Sequence, residues 1–196
     1  GKAQEVARAL RDLETQGAER VVLDLRSNAM GDAQEGIRLA NLFVEDGLLA
    51  YLQGQKYPRQ DFQAERKNAV SKLPLVVITN RATAGAAEIV AAAVLDRRRG
   101  QVVGEKTYGL GSVQKTIPME DGAAIILSIA KYYRPSGRAI QDGGINPTLL
   151  VLDRETELST EEEGVPHAPP ERNLQDDEVL KKAIEVVKGA ALPAAA

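Results

Sequence analysis

One passage limits the fold more than any other. Leu73-Pro-Leu-Val-Val-Ile-Thr79 is an apolar run rich in β-branched residues and too short for a helix. Such a run belongs to a buried strand. It leads through a loop of tiny side chains, Ala82-Thr-Ala-Gly-Ala-Ala87, into a small-residue helix that ends near Leu95. This strand–loop–helix passage sets backbone amides and the positive end of a helix at a crowded turn, a geometry suited to a nucleophile beside an oxyanion hole. Tight helix–sheet packing demands the same Ala and Gly, so the passage alone fixes architecture before it fixes chemistry.

The rest of the chain alternates in the same way. Val6, Ala7, Leu10 and Leu13 share a helical face that Gly17 terminates, and Val21-Val-Leu-Asp-Leu25 reads as a second buried strand. A helix over Gly36–Phe43 and a strand over Leu48–Leu52 follow, whereas Tyr57–Lys72 is polar and carries no period. Strands are expected at Gln101–Gly104, Val113–Ile117 and Ala123–Tyr133, with a turn at Glu120-Asp121-Gly122, and a terminal helix at Asp177–Lys188. The expected class is α/β, a partly parallel sheet covered by helices. With 196 residues and aromatics at only 4 %, the core has to be aliphatic. The expected division is a core over residues 1–152, an acidic loop or linker over 153–176, a helix packed on the core over 177–188, and a frayed tail over 189–196. The linker reading rests on ten acidic against two basic side chains from Asp153 to Glu178, together with Pro166, Pro169 and Pro170.

Composition removes several kinds of chemistry. No cysteine is present, which excludes a disulfide scaffold, a thiol nucleophile and thiolate metal sites, and one histidine argues against most zinc chemistry. No metal or cofactor is expected. No basic stripe interleaved with aromatics points to nucleic acid, and no apolar run approaches the roughly 20 residues of a membrane span. Gly104-Glu-Lys-Thr-Tyr-Gly-Leu-Gly111 has the spacing of a phosphate loop, but Leu110 stands where its lysine belongs. Asp24, Asp32, Glu88 and Asp96 are the carboxylates available for acid–base work, and each is better read as a cap, an ion-pair partner or a surface charge.

Six ordered blocks carry a resemblance: Val22–Gly31, Ile37–Phe43, Asn80–Ile89, Val103–Gln114, Tyr132–Gln141 and Gly144–Pro147. Together they resemble the C-terminal processing peptidases, also called tail-specific proteases. The resemblance implies a crotonase-like or Clp-type ββα core, preceded in the family by a PDZ domain that this stretch does not include. It also implies a serine nucleophile within a Ser-Ala-Ser-Ala-Ser-Glu stretch, a lysine base within Thr-Phe-Gly-Lys-Gly, and a glutamine four residues on that orients the lysine. Aligned on Glu88-Ile89 and Thr107-Tyr-Gly-x-Gly111, those positions hold Gly85, Leu110 and Gln114. The oxyanion hole implied by the resemblance uses backbone at Met30, Gly31 and Ala86, with Met30 where the family usually has glycine.

Glycine offers no attacking atom and leucine accepts no proton, so a Ser–Lys mechanism is not expected. The expectation is a catalytically inactive peptidase domain that binds a peptide or protein segment, such as a protein C-terminus, with self-association open. The alternative is a hydrolase that draws its nucleophile and base from neighbours such as Thr83, Ser112 and Lys106. The resemblance implies an exported protein of the cell envelope or periplasm.

Overall fold

Two four-stranded sheets share one central helix. The structure is a computed structural model that describes residues 1–120, 122–152 and 176–190. Helix α1 (Lys2–Thr15) precedes β1 (Val21–Asp24), α2 (Ala33–Asn41), the hairpin β2 (Leu48–Gly54) and β3 (Tyr57–Gln63), then β4 (Leu75–Thr79) and α3 (Ala86–Asp96). β5 (Gln101–Gly104), β6 (Ser112–Pro118), β7 (Ala124–Tyr133), β8 (Leu149–Leu150) and α4 (Glu178–Gly189) complete the described elements. One sheet is parallel, in the order β1-β4-β5-β8, and the other antiparallel, in the order β3-β2-β7-β6.

Alternation along the parallel strands divides the core in two. Leu75, Val77 and Val102 pack with α1, α2 and α3, while Val76, Ile78 and Val103 on the other face pack with Val179, Ala183 and Val187 of α4. β4 is buried at all five positions, as an apolar run in mid-sheet must be. α3 is apolar on nearly every side, with eight of its eleven residues buried, because it lies between β4 and β5 below and β2 above. α2 meets its start so closely that a side chain at Gly36 would run into the carbonyl of Ala86.

Two sequence expectations need correction. Val21–Asp24 is an edge strand, half-buried and ending in an exposed Asp24, instead of a buried one. Tyr57–Lys72 is not irregular throughout: it opens with β3, which hairpins onto β2 and is exposed at six of seven positions. A solvent-side edge strand carrying Pro58, Arg59 and Asp61 shows no apolar period to read. The acidic stretch 153–176 and the tail 189–196 lie outside the described residues, apart from Asp176, Gly189 and Ala190, as does Asp121 of the expected turn.

Candidate functional site

Three loops converge at the carboxyl ends of β1, β4 and β5, where open α/β sheets place ligands. The 25–31 turn is bound to the 80–85 loop by Ser27 N donating to Asn80 Oδ1 at 3.0 Å, Ala84 N to the Asn28 carbonyl at 2.9 Å and Thr83 Oγ1 to the Leu25 carbonyl at 2.9 Å. The 107–111 loop is attached through Tyr108 N, which donates to the Thr83 carbonyl at 3.0 Å, and through one carboxylate. That carboxylate is Glu88, fully buried on α3. Its Oε2 accepts from Gly85 N at 3.0 Å and Leu110 N at 2.7 Å, and its Oε1 accepts from Gly109 N at 2.8 Å and from the Thr107 hydroxyl. The Gly85 N to Glu88 Oε2 bond makes half of a capping box, the other half lacking a side chain at Gly85, and Glu88 N donates to the Gly85 carbonyl.

Gly85 is the N-cap of α3, at φ 62° and ψ −119°, a conformation that residues with a side chain hold only under strain. A Cβ built there would meet nothing closer than the carbonyl oxygens of Ala29 at 3.9 Å and Leu110 at 4.0 Å. The position is therefore open. Gly31 lies against Ala86, since a Cβ on Gly31 would stand 3.7 Å from the Cβ of Ala86. The fold thus brings together Gly85, Ala86, Gly31, the 29–30 backbone and Leu110. Gln114 is exposed on β6, opposite Ser128. Met30 does not plug the site: it is 88 % exposed and stands on the rim of a cavity of about 230 Å³ between α1, α2 and the start of α3. A larger cavity of about 530 Å³ opens at the opposite end of the parallel sheet, beside Lys72, Arg98 and Arg99, away from the converging loops.

Among the other reactive side chains, Thr83 and Ser112 already have partners. Thr83 is fully buried, its hydroxyl shared between the Leu25 carbonyl and Asn80 N. Ser112 Oγ accepts from Ser128 Oγ at 3.2 Å, and Lys131, opposite Ser112 across the ladder, faces Asp142 at 3.6 Å. Lys106 is exposed. Asp32 caps α2 by accepting from Gln34 N, Asp24 pairs with Arg26, and Asp96 is held by Arg134 and by Ser136 N. Asp24, Asp32, Asp96 and Glu88 thus each bind different partners. No cluster fit to hold a metal ion occurs among the described residues, and none of their helices is long and apolar enough to cross a membrane.

Arg26 joins the site to α4. Its side chain is 2 % exposed and pairs with Asp24 and with Asp177, each at 2.6 Å. Burial alone would push the guanidinium down, but the two carboxylates hold its pKa above the usual arginine value. The Glu88 junction was the part least visible in the sequence. Only its place three residues into the helix hinted at a cap, and its donors from Thr107 to Leu110 become neighbours through the fold.

This architecture and these loops define a peptidase-type α/β domain. Residues 1–151 match peptidase family S41, and the chain belongs to that family. It is 40 % identical over 148 residues to the carboxyl-terminal-processing protease of Synechocystis, covering 76 % of this chain and 34 % of that protein. It is 37 % identical over 151 residues to the carboxy-terminal processing protease CtpA of Bacillus subtilis, covering 75 % of this chain and 32 % of that one. The solved photosystem II D1 C-terminal processing protease superimposes with a TM-score of 0.69 at 33 % identity, over 76 % of this chain and 39 % of that one. The chain spans about a third of the length of these curated relatives.

Proposed function

We propose that this chain is a degenerate S41 peptidase domain that keeps the peptide cleft and binds a polypeptide segment without cleaving it. Gly85 holds the position of the family's serine nucleophile and Leu110 that of its lysine base, with Gln114 in the place of the orienting glutamine. Met30, Gly31 and Ala86 supply the backbone of the oxyanion-hole-like turn. The observation that carries the reading is the pairing of an open, side-chain-free Gly85 with Leu110, whose amide is held on the same buried carboxylate. Acyl transfer there has neither an attacking oxygen nor a proton acceptor. Even with binding and an oxyanion hole retained, a Ser-based site stripped of its reacting groups keeps only about 10³–10⁴ over water, which is undetectable for peptide bonds. The hydrolase alternative finds little support, since Thr83 is committed to the backbone and Lys131 to Asp142.

The test is hydrolysis of an unstructured protein such as casein by this domain and by the Gly85→Ser/Leu110→Lys double variant. The expected result is no turnover by the unmodified domain and measurable turnover by the double variant. Cleavage by purified unmodified domain at a rate comparable to the double variant would overturn the reading.

A further inference from the structure

The cavity of about 530 Å³ at the amino ends of the parallel strands has the size of a small-molecule pocket, roughly 300–1,000 Å³. Leu75, Val76, Leu95 and Val186 give it apolar walls, and Lys72, Arg98 and Arg99 give it charge. No acidic residue among the described ones lines it.

Arg99 is fixed by the fold itself. Its Nε donates to the Phe43 carbonyl at 2.8 Å, and its Nη2 to the carbonyls of Ser71 at 3.0 Å and Leu73 at 2.8 Å. All three partners are neutral, and burial pushes the guanidinium below the usual arginine value, with Glu45 opposing only in part. Nη1 takes no part in these bonds. Arg98 is exposed at φ 54° and makes no ion pair among the described residues, whereas Lys72 pairs with Glu45 at 2.9 Å. The C-terminal ends of α3 and α4 open on the same cavity through Leu95 and Ala190, and each is equivalent to about half a negative charge. Together they offset one of the two arginines that lack a carboxylate partner and leave the other.

A second observation comes from the neighbouring strand. β1 pairs with β4 in the register Val21 to Leu75, which sets Arg20 beside Pro74 at the cavity wall, and Arg20 Nε is buried without a hydrogen-bond partner. Buried donors are nearly always satisfied, so this end of the sheet carries more donor capacity than the chain itself uses.

We propose that this cavity binds a small amphiphilic carboxylate. The head group accepts from Arg99 Nη1 and from the planar fork of Arg98, while an aliphatic body lies against Leu75, Val76, Leu95 and Val186. One positive charge left over suits a monoanion better than a phosphate, which brings about −1.5 to −2. The proposal is independent of the cleft reading and stands whether or not the domain cleaves peptides.

The test titrates the 196-residue chain with sodium octanoate, with 1-octanol as the uncharged body, with sodium acetate as the head alone, and with inorganic phosphate, by calorimetry and methyl NMR. Octanoate should bind about tenfold or more tighter than each of the others. It should shift the methyls of Leu75, Val76, Leu95 and Val186 and leave those of Val90, which lines the smaller cavity by Met30, unmoved. Arg98→Asn, a residue that tolerates positive φ, should weaken octanoate about tenfold at an unchanged melting temperature. Octanol binding as tightly as octanoate would overturn the anion site, and phosphate binding more tightly would overturn the carboxylate assignment. Octanoate that fails to bind, or shifts only methyls elsewhere, would overturn the site altogether.

Discussion

At Glu88 four donors from two loops meet one buried carboxylate. Exchanging it for glutamine points an NH₂ group at two of those donors, and buried donors left unsatisfied cost about 1–3 kcal/mol each. Glu88→Gln should lower the free energy of unfolding in urea by about 2–4 kcal/mol, and a loss under 0.5 kcal/mol would show that the junction does not bind the loops together. Gly85→Ala tests the backbone alone. Space is open there, so its cost should be the strain of a side chain at φ 62°, about 1–3 kcal/mol, read from the same urea curves. Local residue roles were partly legible beforehand. Asp32 could be read as a cap because its partner is two residues away, whereas the donors to Glu88 other than Gly85 lie 19 to 22 residues along the chain.

Among the elements, α4 has a polar anchor at its start. Asp177, 7 % exposed, pairs with Arg26 and also caps the helix by accepting from Leu180 N at 2.9 Å. Asp177→Ala leaves a buried guanidinium short of one partner and should cost about 3–5 kcal/mol, with faster amide exchange in α4 than elsewhere. A second anchor fixes the end of α3: Asp96 binds Arg134 and Ser136 N. Burial pushes that carboxyl up, but the Arg134 and Ser136 hydrogen bonds outweigh it and hold its pKa below the ordinary aspartate value. A depressed folded-state pKa stabilises the fold above about pH 4. That contribution is lost as the pH falls through the folded-state pKa. Acid titration of stability should therefore be shallower in Asp96→Asn than in the unmodified chain, and parallel curves would refute the role. Elements with strong apolar patterns were legible from the sequence, among them β4, α2 and the terminal helix. β3 was not, because a charged edge strand has no buried face, and β8 is only two residues long.

For the molecule as a whole, the α/β class could be read from the alternation of apolar runs, but the division into two sheets could not. The β2–β3 hairpin meets the β6–β7 hairpin in one sheet, and β1, β4, β5 and β8 form the other, through pairings tens of residues apart, which no local pattern encodes. The layering predicts what happens when α4 is removed. A chain ended at residue 152 uncovers Val76, Ile78 and Val103, and burial of Val179 and Val187 is worth about 1.5–3 kcal/mol apiece. The shortened chain should bind the dye ANS and melt earlier, and an unchanged melting temperature would contradict the layering. The burial of α3 between the sheets has a consequence for dissection. The helix that begins at the cleft is clamped from above by β2 and from below by β4 and β5, so cutting the chain between β2 and β5 removes part of the clamp. The three loops around Gly85 should therefore come apart in the same transition that melts the last protected amides of α3, not in a separate local one.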